Sequence, residues 1–97
     1  IIVNNGMLGT IRMHQERGYP ERVHATTLAN PDFAALARAY GAFGEKVTRT
    51  EDFAGVFKAA QAAGKAAVIE LIVDSEALTP EQSLAAVRAQ GKMAKAD

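Results

Sequence analysis

Asn4-Asn5-Gly6, which closes the apolar run Ile1-Ile2-Val3, is the first place where residue types and spacing could do chemistry. Asn and Gly both tolerate positive φ, and Asn-Gly is a strong turn signal, so a plain turn satisfies the pattern. The next residues read as a helical run and not as a second strand. A turn that feeds a helix brings backbone N–H groups and the positive end of the helix dipole to the strand terminus, an arrangement that binds phosphate. Two carboxamide oxygens beside it could serve a hard cation such as magnesium, which prefers oxygen ligands and substrate phosphates. Turn and ligand site both stay open on these residues alone.

Other candidates have plainer readings. His14 reads as a solvated helix residue, and Arg12 pairs with Glu16 at helical spacing. His24 lies in a long connection and has no defined partner in the sequence. Glu70 interrupts the apolar run "AAVIELIV" and reads as a buried, paired carboxylate or one at a sheet margin. No Ser-His-Asp set, P-loop or dinucleotide glycine fingerprint occurs.

The elements that must position these residues are legible from periodicity. Ile1-Ile2-Val3 is β-branched and continuous, as in a strand buried on both faces, and Thr10 to Arg17 reads as a helix ending at Gly18. Residues 18–29, "GYPERVHATTLA", form a long connection of the kind that covers a site. Asn30-Pro31-Asp32 predicts a helix start with Asn30 as cap, and Phe33, Leu36, Ala37 and Tyr40 trace its apolar face up to Gly41. Phe43 to Val47 is a short strand. Thr48 and Glu51 have capping-box spacing ahead of a helix with Phe53, Val56, Phe57 and Ala60 on one face, closed by Gly64.

Residues 66–73 are the strongest strand, and the Phe and Tyr positions are expected in the core. Thr79-Pro80-Glu81-Gln82 predicts a last helix, with Leu84, Val87 and Met93 to bury, packing loosely or against something outside the chain. The order β-α-loop-α-β-α-β predicts an α/β layer fold with a mainly parallel sheet. Ligands gather outside the carboxyl ends of such strands, where Asn4 and Asn5 stand.

The chain has 97 residues, room for one small domain, and its formal net charge is zero. That balance offers no basic footprint for nucleic acid and no polybasic face for an anionic membrane. No stretch approaches the roughly 20 apolar residues that span a bilayer. The absence of cysteine excludes a disulfide framework and thiolate metal sites and fits a reducing compartment, so the cytoplasm is the expected location. The sequence begins at Ile1, without methionine and already in a strand, and is expected to be a piece of a longer protein.

"VNNGMLGTIRMHQ", "TTLANPDFAALARAYG", "VTRTEDFAGVFKAAQAAGKAAVIEL" and the closing "ALTP" occur in order. Together they resemble the C-terminal, diphosphate-binding domain of thiamine-diphosphate enzymes, most closely the acetolactate synthase and benzoylformate decarboxylase group. The resemblance implies a parallel-sheet, three-layer fold. Residues 1–78 would be the C-terminal half of that domain and residues 79–97 a helical tail. It implies thiamine diphosphate and Mg2+ as cofactors, with Asn5 giving its side-chain oxygen and Met7 its backbone carbonyl to the metal. Gly6, Leu8 and Gly9 would lie against the diphosphate, and Thr10 and Ile11 would face the thiazolium ring and substrate. Asn4 would support the turn.

The implied activity is cleavage or formation of a C–C bond next to a carbonyl, on a small-molecule 2-oxo acid, in a homodimer or homotetramer. The Gly-Asp-Gly half of the family's metal motif is missing from these residues, as is the domain whose glutamate activates the cofactor. No catalytic residue is therefore assigned here, and the chain alone is expected to be inactive. Arg12 stands where some decarboxylases of the superfamily carry a glutamate that handles substrate protons, which disfavours that subclass. Leu8 replaces an aromatic residue common in relatives. The alternative reading is a non-catalytic α/β module that binds a partner or self-associates.

Overall fold

The computed structural model describes residues 1–96. In chain order its elements are β1 (Ile2–Asn4), α1 (Gly9–Gly18), α2 (Phe33–Ala39), β2 (Phe43–Val47), a short turn of 3-10 helix (Thr50–Asp52), α3 (Phe53–Ala62), β3 (Ala67–Ile72), β4 (Ala77–Thr79), β5 (Gln82–Ser83) and α4 (Leu84–Ala96). They fall into two units: Ile1–Asn4 with Asn30–Val73, and Asn5–Ala29 with residues 74–96. As far as β3 the order is the one expected from the sequence.

The first unit is built on β3. β1 pairs with it on one side, Ile2 opposite Glu70 and Asn4 opposite Ile72, and β2 on the other, Phe43 opposite Ala67 and Val47 opposite Leu71, all parallel. The α3 crossover between β2 and β3 is the connection that parallel neighbours require. The core comprises Ala34 and Ala37 from α2, Val47 from β2 and Ile69 from β3.

The buried face of α2 differs from the expected one. Leu36 is 46% and Tyr40 85% exposed; Ala34 and Ala37 are inside, of which only Ala37 lies on the expected face, and Ala35 and Ala39 are exposed. The cause is close approach: a Cβ on Gly44 of β2 would stand 2.2 Å from the Ala34 carbonyl oxygen, so only the small residues of α2 fit against the strand. Asp32, not Asn30, caps α2, accepting from Ala35 N–H at 2.8 Å. Thr48 and Glu51 form no capping box; Glu51 pairs with Arg49 at the 3-10 turn. Phe53 and Phe57 stack with centroids 5.6 Å apart, yet no residue of α3 is fully buried. β1 is an edge strand here, with Val3 exposed, where burial on both faces was expected.

The second unit packs α1 against α4. Residues 79–82 start no helix; they belong to a hairpin in which Ala77 lies opposite Ser83 and Thr79 opposite Gln82. Two hydroxyls decide this. Thr79 Oγ1 accepts from Glu81 N–H inside the turn, and Ser83 Oγ accepts from Ala86 N–H, which moves the cap of the helix to Ser83. α4 is not loosely packed, because Leu84, Val87 and Gly91 are buried, whereas Met93 is exposed. A Cβ on Gly91 would lie 2.6 Å from the Glu16 carbonyl oxygen and 2.7 Å from that of Arg17. Gly91→Ala is therefore expected to destabilise the chain by about 1–3 kcal/mol, since rigid helix backbone must shift. Urea unfolding measures this, and an unchanged midpoint would refute the close helix contact.

Candidate functional site

The turn after β1 is held by its own side chain: Asn5 Oδ1 accepts from Met7 N–H at 3.1 Å, closing an Asx turn, and Gly6 sits at φ +69°. The long connection folds back on it. Met7 bridges Thr27 in antiparallel fashion, Leu28 N–H donates to the Gly6 carbonyl at 2.8 Å, and Leu8 N–H donates to the Thr26 carbonyl at 2.8 Å. Thr26 is buried and its hydroxyl donates to Gln15 Oε1, while Gln15 Nε2 donates to the His24 carbonyl. The β-branched pair Thr26-Thr27 was the one local hint of this pairing.

α1 starts at Gly9 with Leu8 in the cap position and no side-chain cap. A Cβ on Gly9 would come within 2.9 Å of Asn5 Nδ2, so the glycine lets the carboxamide lie against the helix start. Asn5, Gly9, Thr10 and Met13 line one side of a cleft of about 370 Å³, and Ala77, Leu78 and Thr79 line the other. Of the residues singled out in the sequence, Asn5, Gly9 and Thr10 meet in this cleft. Gly6, Met7, Leu8 and Ile11 are not in its lining, and neither imidazole is. Met13 and the hairpin wall did not stand out in the sequence, because residues 77–79 read there as the approach to a helix.

Each unit holds a buried carboxylate. Glu16 on α1 accepts from Arg12 Nε and Nη2 at 3.0 and 2.9 Å, from Glu21 N–H at 2.8 Å, and faces Arg88 Nε of α4 at 3.0 Å. Arg12 is thus held by Glu16, as its helical spacing predicts. Burial alone would raise the Glu16 pKa, but the Glu21 N–H and the two guanidiniums outweigh it and lower it to about 2. Arg88 also lies 3.6 Å from Glu76 Oε1, and Glu76 Oε2 is buried without a hydrogen-bond partner among the described residues.

In the first unit Glu70 accepts from Asn4 Nδ2 at 2.8 Å and from the Phe33 and Ala34 N–H groups at 3.2 and 3.4 Å. Asn4 Oδ1 accepts from Asn30 Nδ2 at 2.9 Å, so these two side-chain bonds tie Asn4 to Glu70 of β3 and to Asn30 ahead of α2.

The family model described as "Thiamine pyrophosphate enzyme, C-terminal TPP binding domain" matches residues 1–71. The chain belongs to this family. Acetolactate synthase of Mycobacterium bovis is 39% identical over 82 residues, which is 78% of this chain and 13% of that protein. The acetolactate synthase large subunit of Parasynechococcus marenigrum is 47% identical over 53 residues, 53% of this chain and 9% of the relative. A putative thiamine pyrophosphate-containing protein, YdaP of Bacillus subtilis, is 36% identical over 81 residues, 82% of this chain and 14% of its own length. The chain therefore spans about one eighth of the mycobacterial relative. The match covers β1 to β3 almost whole, and β4, β5 and α4 lie beyond it. No helix among the described residues is long and apolar enough to cross a membrane.

Proposed function

We propose that this chain is one half of the cofactor anchor of a thiamine-diphosphate- and magnesium-dependent enzyme that cleaves or forms a C–C bond beside the carbonyl of a 2-oxo acid. The family match over residues 1–71 carries the reading, and the turn geometry supports it. Asn5 and Met7 are the proposed magnesium ligands, through a carboxamide and a backbone carbonyl oxygen. Both are the hard donors that this ion selects. Gly6, Leu8, Gly9, Thr10 and Ile11 are the proposed cofactor contacts. Because Leu8 N–H already serves Thr26, the donors left to a diphosphate are those of the uncapped start of α1 at Gly9 and beyond.

Thiamine diphosphate, when bound, supplies a carbanion that attacks carbonyl carbon; the protein binds, orients and excludes water. Asn5 fits such a role because the Gly9 position leaves room for its carboxamide beside the helix start. The whole protein would be a cytoplasmic homodimer or homotetramer. Its Gly-Asp-Gly half-motif would precede residue 1, residues 1–78 would complete the cofactor domain, and residues 79–97 would follow as its tail. Without that half, titration of the 97-residue chain with Mg2+ and thiamine diphosphate should show no tight binding.

In the full-length protein Asn5→Ala should weaken thiamine diphosphate binding at limiting Mg2+ by about tenfold or more, the scale of a perturbed metal site. Calorimetry reads this directly, and undiminished affinity would remove Asn5 from the ligand set. A non-catalytic module is the competing reading, and a full-length sequence without Gly-Asp-Gly ahead of Ile1 would favour it.

A further inference from the structure

We propose that the β4–β5 hairpin is the size-selective wall of the α1 cleft, with Leu78 setting, opposite Met13, how long an alkyl chain the bound 2-oxo acid can carry. The inference rests on the cofactor reading above and concerns residues beyond the matched segment 1–71.

Three observations carry it. The cleft has two walls, Gly9, Thr10 and Met13 on α1 with Asn5 before it, and Ala77, Leu78 and Thr79 on the hairpin. Its volume of about 370 Å³ is at the small end of ligand pockets. None of the lining side chains is charged, and the bulky apolar ones are Met13 and Leu78. A substrate's hydrocarbon end is thus met by packing and its polar end by Thr10 and Thr79, with Asn5 left to the metal.

The distance between the walls is fixed. The hairpin is closed by Leu84 N–H donating to the Glu76 carbonyl at 2.8 Å, and the Glu76 carboxylate lies 3.6 Å from Arg88. Arg88 in turn holds Glu16 of α1 at 3.0 Å, so one guanidinium ties both walls. A wall anchored in this way discriminates by volume, because it cannot yield to a longer chain without breaking the ion pairs.

The test is full-length protein assayed with unbranched 2-oxo acids of increasing chain length, alongside calorimetric binding of thiamine diphosphate with Mg2+. Leu78→Ala should raise kcat/KM for the longer acids relative to the shortest by about tenfold or more. Its cofactor affinity should be unchanged. Leu78→Val, a smaller change that is safe for folding, should shift the ratio in the same direction by less, and Leu78→Phe should shift it the other way. Intact cofactor binding with an unaltered selectivity ratio in Leu78→Ala and Leu78→Val overturns the wall and leaves the cofactor reading standing. Wild-type protein that binds no thiamine diphosphate overturns both.

Discussion

Glu16→Ala is expected to cost the chain about 3–5 kcal/mol, because it takes the nearest carboxylate from two poorly exposed guanidiniums at once. Glu16 is 1% exposed, and Arg12 and Arg88 share its carboxylate. Burying apolar residues in place of the whole cluster could be neutral; removing the anion alone is not, since Arg12 loses its partner and Arg88 keeps only Glu76 at 3.6 Å. Glu16→Gln keeps the shape and one acceptor and should cost less.

The same site predicts acid sensitivity. The Glu16 carboxyl titrates at about 2 in the folded chain against an ordinary value of 4.5, so the group favours folding fully above 4.5 and loses that contribution as pH falls from 4.5 towards 2. The difference corresponds to about 3 kcal/mol. Urea midpoints at pH 6 and pH 3 should therefore converge in Glu16→Ala more than in the wild type. Parallel loss of stability in both proteins would show that other carboxylates govern acid unfolding.

How much of this was legible beforehand depended on the length scale of each signal. The β-α-α-β-α-β order through β3 was readable because β-branched runs, apolar faces and terminal glycines are local properties. The Arg12–Glu16 pair was readable for the same reason. Which face of α2 is buried was not, since Gly44, on the strand after the helix, decides it by admitting only Ala34 and Ala37. The hairpin at 77–83 was missed because a Thr-Pro-Glu-Gln run satisfies the helix-start rules, and only the choice of Thr79 and Ser83 hydroxyls between turn and cap separates the outcomes.

The site divides in the same way. Asn5 as a turn carboxamide and Gly9 as a close approach are foreshadowed by the Asn-Asn-Gly and Leu-Gly-Thr steps. The return of Thr26 to Leu28 onto Gly6 and Leu8 is a long-range pairing that spends the Leu8 N–H on protein, and beyond the β-branched Thr26-Thr27 pair no local pattern announces it. Leu78 was invisible as a site residue because it stands near the other end of the chain from the turn whose cleft it lines.

Glu70→Ala is the second large effect, about 2–4 kcal/mol, expected from the donors it would orphan. Three N–H groups converge on this carboxylate: the Asn4 amide at 2.8 Å and the Phe33 and Ala34 backbone groups at 3.2 and 3.4 Å. The last two belong to the first turn of α2, where a negative charge also complements the helix dipole. Lys46 lies 3.7 Å away, but it keeps its closer Asp32 partner at 3.0 Å and stays partly solvated, so the loss concentrates on the strand end and the helix start.

Hydrogen exchange separates this from a general loosening. In Glu70→Ala the Phe33 and Ala34 amides should lose protection well beyond the global change. Uniform loss across β2 and β3 would mean that Glu70 merely fills space. An Asn4→Ala, Glu70→Ala double-mutant cycle should give a coupling of about 0.5–3 kcal/mol. A coupling near zero would deny the contact any part in fixing the strand end, because Asn4→Ala would then cost as much stability without Glu70 as with it.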